Sequence, residues 1–187
     1  MFVFVKKIKR EMRERKNIRL QNWDYSTPAD YFITICTKNR EHYFGEIAGG
    51  VMQLSNTGVI AYVLWWEIKN HAKNVELGEF VVMPNHIHGI ITITGQPVGT
   101  GHALSLREPS NNTRKTRFQN IGKNSISAII GSYKSAVTKY ARKLGYEFEW
   151  QTRFYDNIIR TAADYNRIAE YIKHNPQNWT EDKFFNE

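Results

Sequence analysis

Cysteine is nearly absent: Cys36 is the one thiol in 187 residues. That excludes a disulfide framework and a zinc site built on cysteine ligands. A reducing, cytoplasmic setting is expected. Long apolar runs are missing too. None approaches the roughly 18 residues needed to span a bilayer, so no membrane partner is expected. The opening Met1-Phe2-Val3-Phe4-Val5 is apolar and then turns basic, the reverse of a secretory signal. No internal repeat is visible. Acid is the scarcer charge, with 18 Asp and Glu against 26 Lys and Arg, a net charge of +8.

What is present supports one core with extensions. The hydrophobic share of 41% is enough for a packed domain. The positive charge is unevenly placed. Lys6, Lys7, Lys9, Arg10, Arg13, Arg15, Lys16 and Arg19 crowd one segment, opposed only by Glu11 and Glu14. Such an arm is an electrostatic footprint for a polyanion, most often nucleic acid. The expected organisation is a basic N-terminal arm over 1–24 and a single domain over 25–187.

Along that domain, Tyr31 to Thr37 reads as a strand and Gly45 to Gly50 as a turn. Asn56 is placed to cap a helix whose stripe is Ile60, Val63, Leu64 and Ile68, with Trp65 and Trp66 extending the buried side. Asn74 closes that element. Glu79–Met83 and His86–Thr94 form a hairpin across Pro84-Asn85. Residues 95–123 are polar, basic and rich in glycine, without a clear period. Ser125 begins a second helix with the stripe Ile126, Ile129, Ile130, Tyr133 and Val137, ending at Gly145. Its outer face carries Lys134, Lys139, Arg142 and Lys143. Phe154 to Arg160 reads as a strand, and Ala162 to about Asn175 as a helix closed by Pro176. The order β-α-β-β-α-β plus a terminal helix predicts an α+β fold: a ferredoxin-like, antiparallel split βαβ sheet with helices on one face and an added C-terminal helix.

Chemistry concentrates in two places. His86 and His88 stand two apart on a strand, so their imidazoles share a face while Ile87 points into the core. Alone, that pair is an incomplete metal site. Tyr171 and Asn175, four apart on the last helix, lie about 40° apart around its axis and share a face. The other tyrosine of that helix, Tyr165, has Ala169 as its partner, which offers no ligand. A tyrosine hydroxyl is a weak nucleophile at its free pKa of about 10. It becomes useful toward a phosphodiester polarised by a metal. Two imidazoles and one amide oxygen suit Mg2+ or Mn2+, which keep open positions for phosphate oxygens. Structural zinc would want a closed set of four ligands, which is not evident.

These residues carry a family resemblance. The segments Arg19-Leu20, Tyr25-Ser26, Tyr31 to Arg40, Val82 to His88, Trp150-Gln151, Tyr155-Asp156, Ile158 to Arg160 and Glu170 to Pro176 resemble the REP-associated tyrosine transposases. Those are relatives of the IS200/IS605-type transposases within the HUH single-strand nuclease class. The resemblance implies that His86, His88 and Asn175 hold the metal and Tyr171 is the nucleophile. It implies cleavage and rejoining of single-stranded DNA near hairpins through a 5′-phosphotyrosine link. A monomer or homodimer is expected. The 95–123 insertion departs from the commoner pattern.

Under that reading the basic arm would contact phosphates, with Lys134 and Arg160 beside it. Trp150, Phe154 and Tyr155 are candidates to stack on unpaired bases. Asp156 is a candidate to orient a metal-binding histidine. Two other readings stand beside it: a non-catalytic binder of single-stranded or hairpin nucleic acid, and a metal-dependent hydrolase that uses water.

Overall fold

The computed structural model describes residues 23–95 and 125–185. The basic-arm residues Lys6, Lys7, Lys9, Arg10, Arg13, Arg15, Lys16 and Arg19 fall outside them, as does the 95–123 segment beyond Gly95. The strands are β1 (Ala29–Cys36), β2 (Gly45–Ala48), β3 (Val51–Leu54), β4 (Val75–Met83), β5 (His86–Ile93) and β6 (Tyr155–Ile159). The helices are α1 (Asn56–Trp66), α2 (Ile68–His71), α3 (Ile126–Lys143) and α4 (Ala162–His174). No helix among the described residues is long and apolar enough to cross a membrane.

Four strands form one antiparallel sheet in the order β4-β5-β1-β6. This is the expected α+β, ferredoxin-like arrangement, with β5 and β1 at its centre. The period-2 alternation of a strand divides its side chains between two faces. One face presents Tyr31, Ile33, Ile35, Ile87, Ile91 and Ile93 to a cluster shared with α1 and α3. The other presents Phe32, Ile90 and Ile159 to Ile168, Ala169 and Ile172 of α4. The helix that carries Tyr171 therefore covers the face opposite to α1 and α3.

α3 follows its sequence pattern closely. The Ser125 hydroxyl accepts from Ala128 N, and the whole expected stripe is buried, extended by Ala141. Gly145 takes φ +81°. Its N–H donates to Arg142 O, and that of Tyr146 to Ala141 O, which satisfies the last carbonyls of the helix.

Four expectations need correction. The 45–50 stretch is a small hairpin, β2 paired with β3, with only Gly49-Gly50 as the turn. The cap of α1 is Ser55, whose hydroxyl accepts from Gly58 N, and Asn56 is the first helical residue. The helix ends at Trp66, with the short α2 beyond it, well before Asn74. The α1 stripe is also rotated. Thr57, Gly58, Ala61 and Trp65 are buried, while Val63 and Trp66 are 52% and 44% exposed. Apolar residues surround α1 on all sides, so its pattern carries little direction. Close approach decides instead: a β-carbon at Gly58 would stand 2.2 Å from Phe44 O.

Trp65 is the anchor of that helix. Its ring stacks on Phe80 at 4.7 Å and meets Tyr133 edge-on at 5.4 Å. It also lies against Gly89, on the side of β5 away from His88. A β-carbon at Gly89 would sit 2.3 Å from the ring. Gly89→Ala is therefore expected to destabilise the fold by about 1–3 kcal/mol, the usual range for overpacking a core. The urea midpoint at neutral pH measures it, and an unchanged midpoint would refute the Trp65–Gly89 packing.

Candidate metal and nucleophile site

The site begins at the turn between β4 and β5. Asn85 O accepts from Thr37 N and from Thr37 Oγ1, both at 2.9 Å, and Pro84 O accepts from Phe44 N at 3.0 Å. β5 is then paired along both edges, with His86 opposite Met83 and Cys36, and His88 opposite Val81 and Thr34. Both imidazoles are fully buried, their ring centres 4.5 Å apart, and Ile87 is buried on the opposite face.

Each ring is oriented by its Nδ1. That of His86 lies 2.8 Å from Asn85 Oδ1. The Asn85 amide nitrogen donates to Phe184 O at 2.9 Å, so its oxygen is the end facing His86. An amide oxygen only accepts, so His86 carries its proton on Nδ1 and leaves Nε2 as a bare lone pair. That Nε2 is buried and has no hydrogen-bond partner among the described residues. His88 Nδ1 meets Thr34 Oγ1 at 2.9 Å, and its Nε2 lies 3.1 Å from Tyr171 Oη.

α4 delivers the other groups. Thr161 caps it by accepting from Asp164 N. Burial of Ile168, Ala169 and Ile172 then turns Tyr171 and Asn175 toward β5. Tyr171 is 41% exposed, but its hydroxyl reaches in among His88 and Asp182. Asn175, the C-cap, is buried, and its Oδ1 has no partner among the described residues.

After Pro176 the chain folds back and brings in Asp182, which the sequence pattern did not flag. Its Oδ2 accepts from Tyr171 Oη at 3.0 Å and from Asn175 Nδ2 at 2.9 Å, and its Oδ1 accepts from Phe184 N at 2.7 Å. Asp182 groups with His86 and His88, with ligand atoms all within 4.8 Å of one another. The donor set fits a divalent ion. The two neutral imidazoles and the Asp182 carboxylate come together, Asn175 is tied to that carboxylate through its amide nitrogen, and His86 Nε2 and Asn175 Oδ1 lack partners among the described residues.

Burial holds the histidines neutral, as ligands must be. His86 is pushed down to about 3 by burial, reinforced by the charges of Lys183 and Arg40. His88 is driven well below its usual value, again by burial first. Burial raises Tyr171, and the charge and hydrogen bond of Asp182 raise it further, so the hydroxyl rests neutral. Cys36, opposite His86, is pushed up to about 11 by burial and stays a neutral thiol.

His86, His88, Tyr171 and Asn175 thus converge. Other expectations do not. Asp156 pairs with Ile33, which pairs with Gly89, so its side chain lies on the face away from His88 and cannot orient that ring. Thr34 and Asn85 hold the histidines instead. Lys134 Nζ donates to the carbonyls of Gln151 and Thr152 and bolsters that segment. Arg160 is exposed but follows the end of β6 remote from Tyr155, five residues or roughly 16 Å along the chain. Trp150 and Phe154 pack against the core, whereas Tyr155 is 39% exposed.

The chain shares its fold with a tyrosine transposase of known structure. A solved REP-associated tyrosine transposase bound to a REP hairpin aligns with a TM-score of 0.56 and 19% identity, over 88% of this chain and 77% of that one. A Deinococcus radiodurans protein provisionally described as a transposase aligns more loosely, with a TM-score of 0.44 and 13% identity over 83% of this chain and 95% of that one. The chain belongs to one family with an uncharacterised protein of Haemophilus influenzae, to which it is 37% identical over 175 residues, 93% of this chain and 94% of the other. No family model matches it.

The histidine shifts have a signed consequence. Both folded-state values lie below the unfolded value of about 6.5. Between pH 6.5 and about 3 the unfolded chain therefore binds more protons than the native one. Stability is present above that window and falls as pH drops into it, by at most about 1.4 kcal/mol per pH unit for each histidine. Without added metal, the urea midpoint should fall between pH 7 and pH 5, and His86→Asn should flatten that slope. An equal slope in the variant would show that His86 is not held neutral by burial.

Proposed function

We propose that the protein is a metal-dependent tyrosine transposase of the HUH class, which cleaves and rejoins single-stranded DNA next to hairpins. One observation carries the reading: the Tyr171 hydroxyl lies 3.1 Å from Nε2 of a buried, neutral histidine, beside a second histidine and an amide oxygen with no partner among the described residues. His86, His88 and Asn175 would hold Mg2+ or Mn2+, with the Asp182 carboxylate within reach of the same position. An ion bound there supplies positive charge that makes the scissile phosphorus more electrophilic.

The residues perform the remaining work. Tyr171 Oη attacks phosphorus, and its proton passes to Asp182 Oδ2, already its hydrogen-bond acceptor at 3.0 Å. The P–Oη bond forms as the P–O3′ bond breaks. The 3′ oxygen takes up a proton and leaves as a hydroxyl, and the 5′ phosphate stays on the tyrosine. Attack by another 3′-hydroxyl reverses the step and joins strands without an external energy source. The hairpin in the solved relative supports structured DNA as the partner class. The arm of residues 1–24 and the basic 95–123 insertion would add phosphate contacts to the domain of residues 25–187.

Incubation with a single-stranded hairpin DNA and Mn2+ or Mg2+ tests the reading. The expected result is a protein–DNA adduct that survives a denaturing gel, disappears on chelation and is absent in Tyr171→Phe, which still binds the hairpin. An adduct in Tyr171→Phe would refute the nucleophile. Nicked DNA without attached protein would mark a water-using hydrolase. Chelator-indifferent binding with no cleavage would mark a binding module.

A further inference from the structure

α1 and α3 run antiparallel. Asn56 Nδ2 donates to Tyr146 Oη at 2.8 Å at one end, and Tyr133 Oη donates to Ala61 O at 2.9 Å further along. Between these helices and α2 a groove of about 760 Å³ opens to the surface. Val63, Leu64 and Ile68 form one wall, and Ala128, Ile129 and Ala136 the other. Ser132, exposed on α3, lies midway along it. The apolar surface continues past the groove. Val59, Tyr62, Val63 and Trp66 recur on α1 at i, i+3, i+4 and i+7, each 44–52% exposed. That is the spacing of a helix stripe that packs on a partner. Among the described residues nothing buries it. Contiguous exposed apolar surface of this kind marks a docking site.

The chain itself holds a matching segment. Met1-Phe2-Val3-Phe4-Val5 is an apolar run at the head of the basic arm, and phosphate contacts give it no role. The arm joins the domain beside the groove. Trp23 Nε1 donates to Tyr31 Oη at 3.1 Å, and Tyr25 O accepts from Ile126 N at 3.1 Å, in the first turn of α3. Ala128 and Ile129, in that same turn, form the near end of the groove. From Ala128 to Tyr140, which lines the far end, α3 rises about 18 Å. Residues 6–22 separate the apolar run from Trp23, and fully extended they reach roughly 55 Å. The tether therefore serves either end of the groove. The 95–123 insertion offers no competing segment, since its apolar runs do not exceed pairs such as Ala103-Leu104.

We propose that Phe2 and Phe4 dock in the groove between α1–α2 and α3 of their own chain. The tether holds them at an effective concentration on the order of millimolar, so a contact of two phenylalanines is enough. Both ends of the basic segment are then fixed. Its charge is held as a closed loop on the α1–α3 face, opposite the face covered by α4 and Tyr171. The proposal does not depend on the nuclease reading.

Thiol reactivity tests it in the full chain, because Cys36 is buried and stays a neutral thiol. Ser132→Cys puts a reporter in the groove, and mass spectrometry follows its modification by a maleimide. With the native arm the rate should be about tenfold lower than in the same chain carrying Phe2→Asp and Phe4→Asp. Equal rates overturn the proposal. Lys6→Glu with Lys7→Glu should keep the protection; its loss there would assign the contact to charge and overturn the apolar docking. Oxidation of the Phe4→Cys, Ser132→Cys double variant at low micromolar concentration should link the two positions within one chain. A link between two chains would give the groove to a second copy and overturn the proposal, as would the absence of any link.

Discussion

The site depends on how β5 is held. It lies between β4 and β1 and is hydrogen-bonded along both edges, so its backbone has little freedom to turn. That fixes which side chains leave each face: His86 and His88 on one, Ile87 and Gly89 on the other. The Trp65 ring lies against Gly89 and the isoleucine cluster surrounds Ile87, so rotation of the strand would bury imidazole in apolar packing. A buried polar group without a partner costs about 1–3 kcal/mol. Among the described residues His86 Nε2 and Asn175 Oδ1 are two such atoms, both on residues of this site.

Around that strand the electrostatics divide. α4 ends at His174 with Asn175 as its C-cap, so the partial negative charge of its C-terminus favours a cation there, and Asp182 adds a full negative charge. Arg40 and Lys183 lie close enough to depress His86 further and supply positive charge next to the same pocket. A divalent ion and a phosphodiester would have opposite needs, and under the proposed function the two groups of residues would meet them from different elements. Tyr171 stands between, its hydroxyl shared between His88 and Asp182.

Periodicity revealed the residues that act through their own element. The i, i+2 spacing placed His86 with His88, and the i, i+4 spacing placed Tyr171 with Asn175, because strand and helix geometry alone set those relations. The α3 stripe and its glycine stop were readable for the same reason. α1 was misread because apolar residues surround it, and the contacts that select its buried side run through Gly58 and Ala61, which have almost no side chain.

Asp182 shows where local reasoning ends. It reaches the histidines because the chain reverses after Pro176, and no spacing relates it to β5, nearly a hundred residues earlier. Asp156 erred in the opposite sense: its neighbourhood in sequence looked right, but pairing with Ile33 turned it to the other face. The sequence by itself determined the order of the four main-sheet strands and the three longer helices, the two residue pairs and the chemistry they offer, since each depends only on the repeat of one element. Strand register, the packing of α4 and the return of the tail depend on contacts between elements, so only the tertiary structure decided which pairs meet and what completes their site.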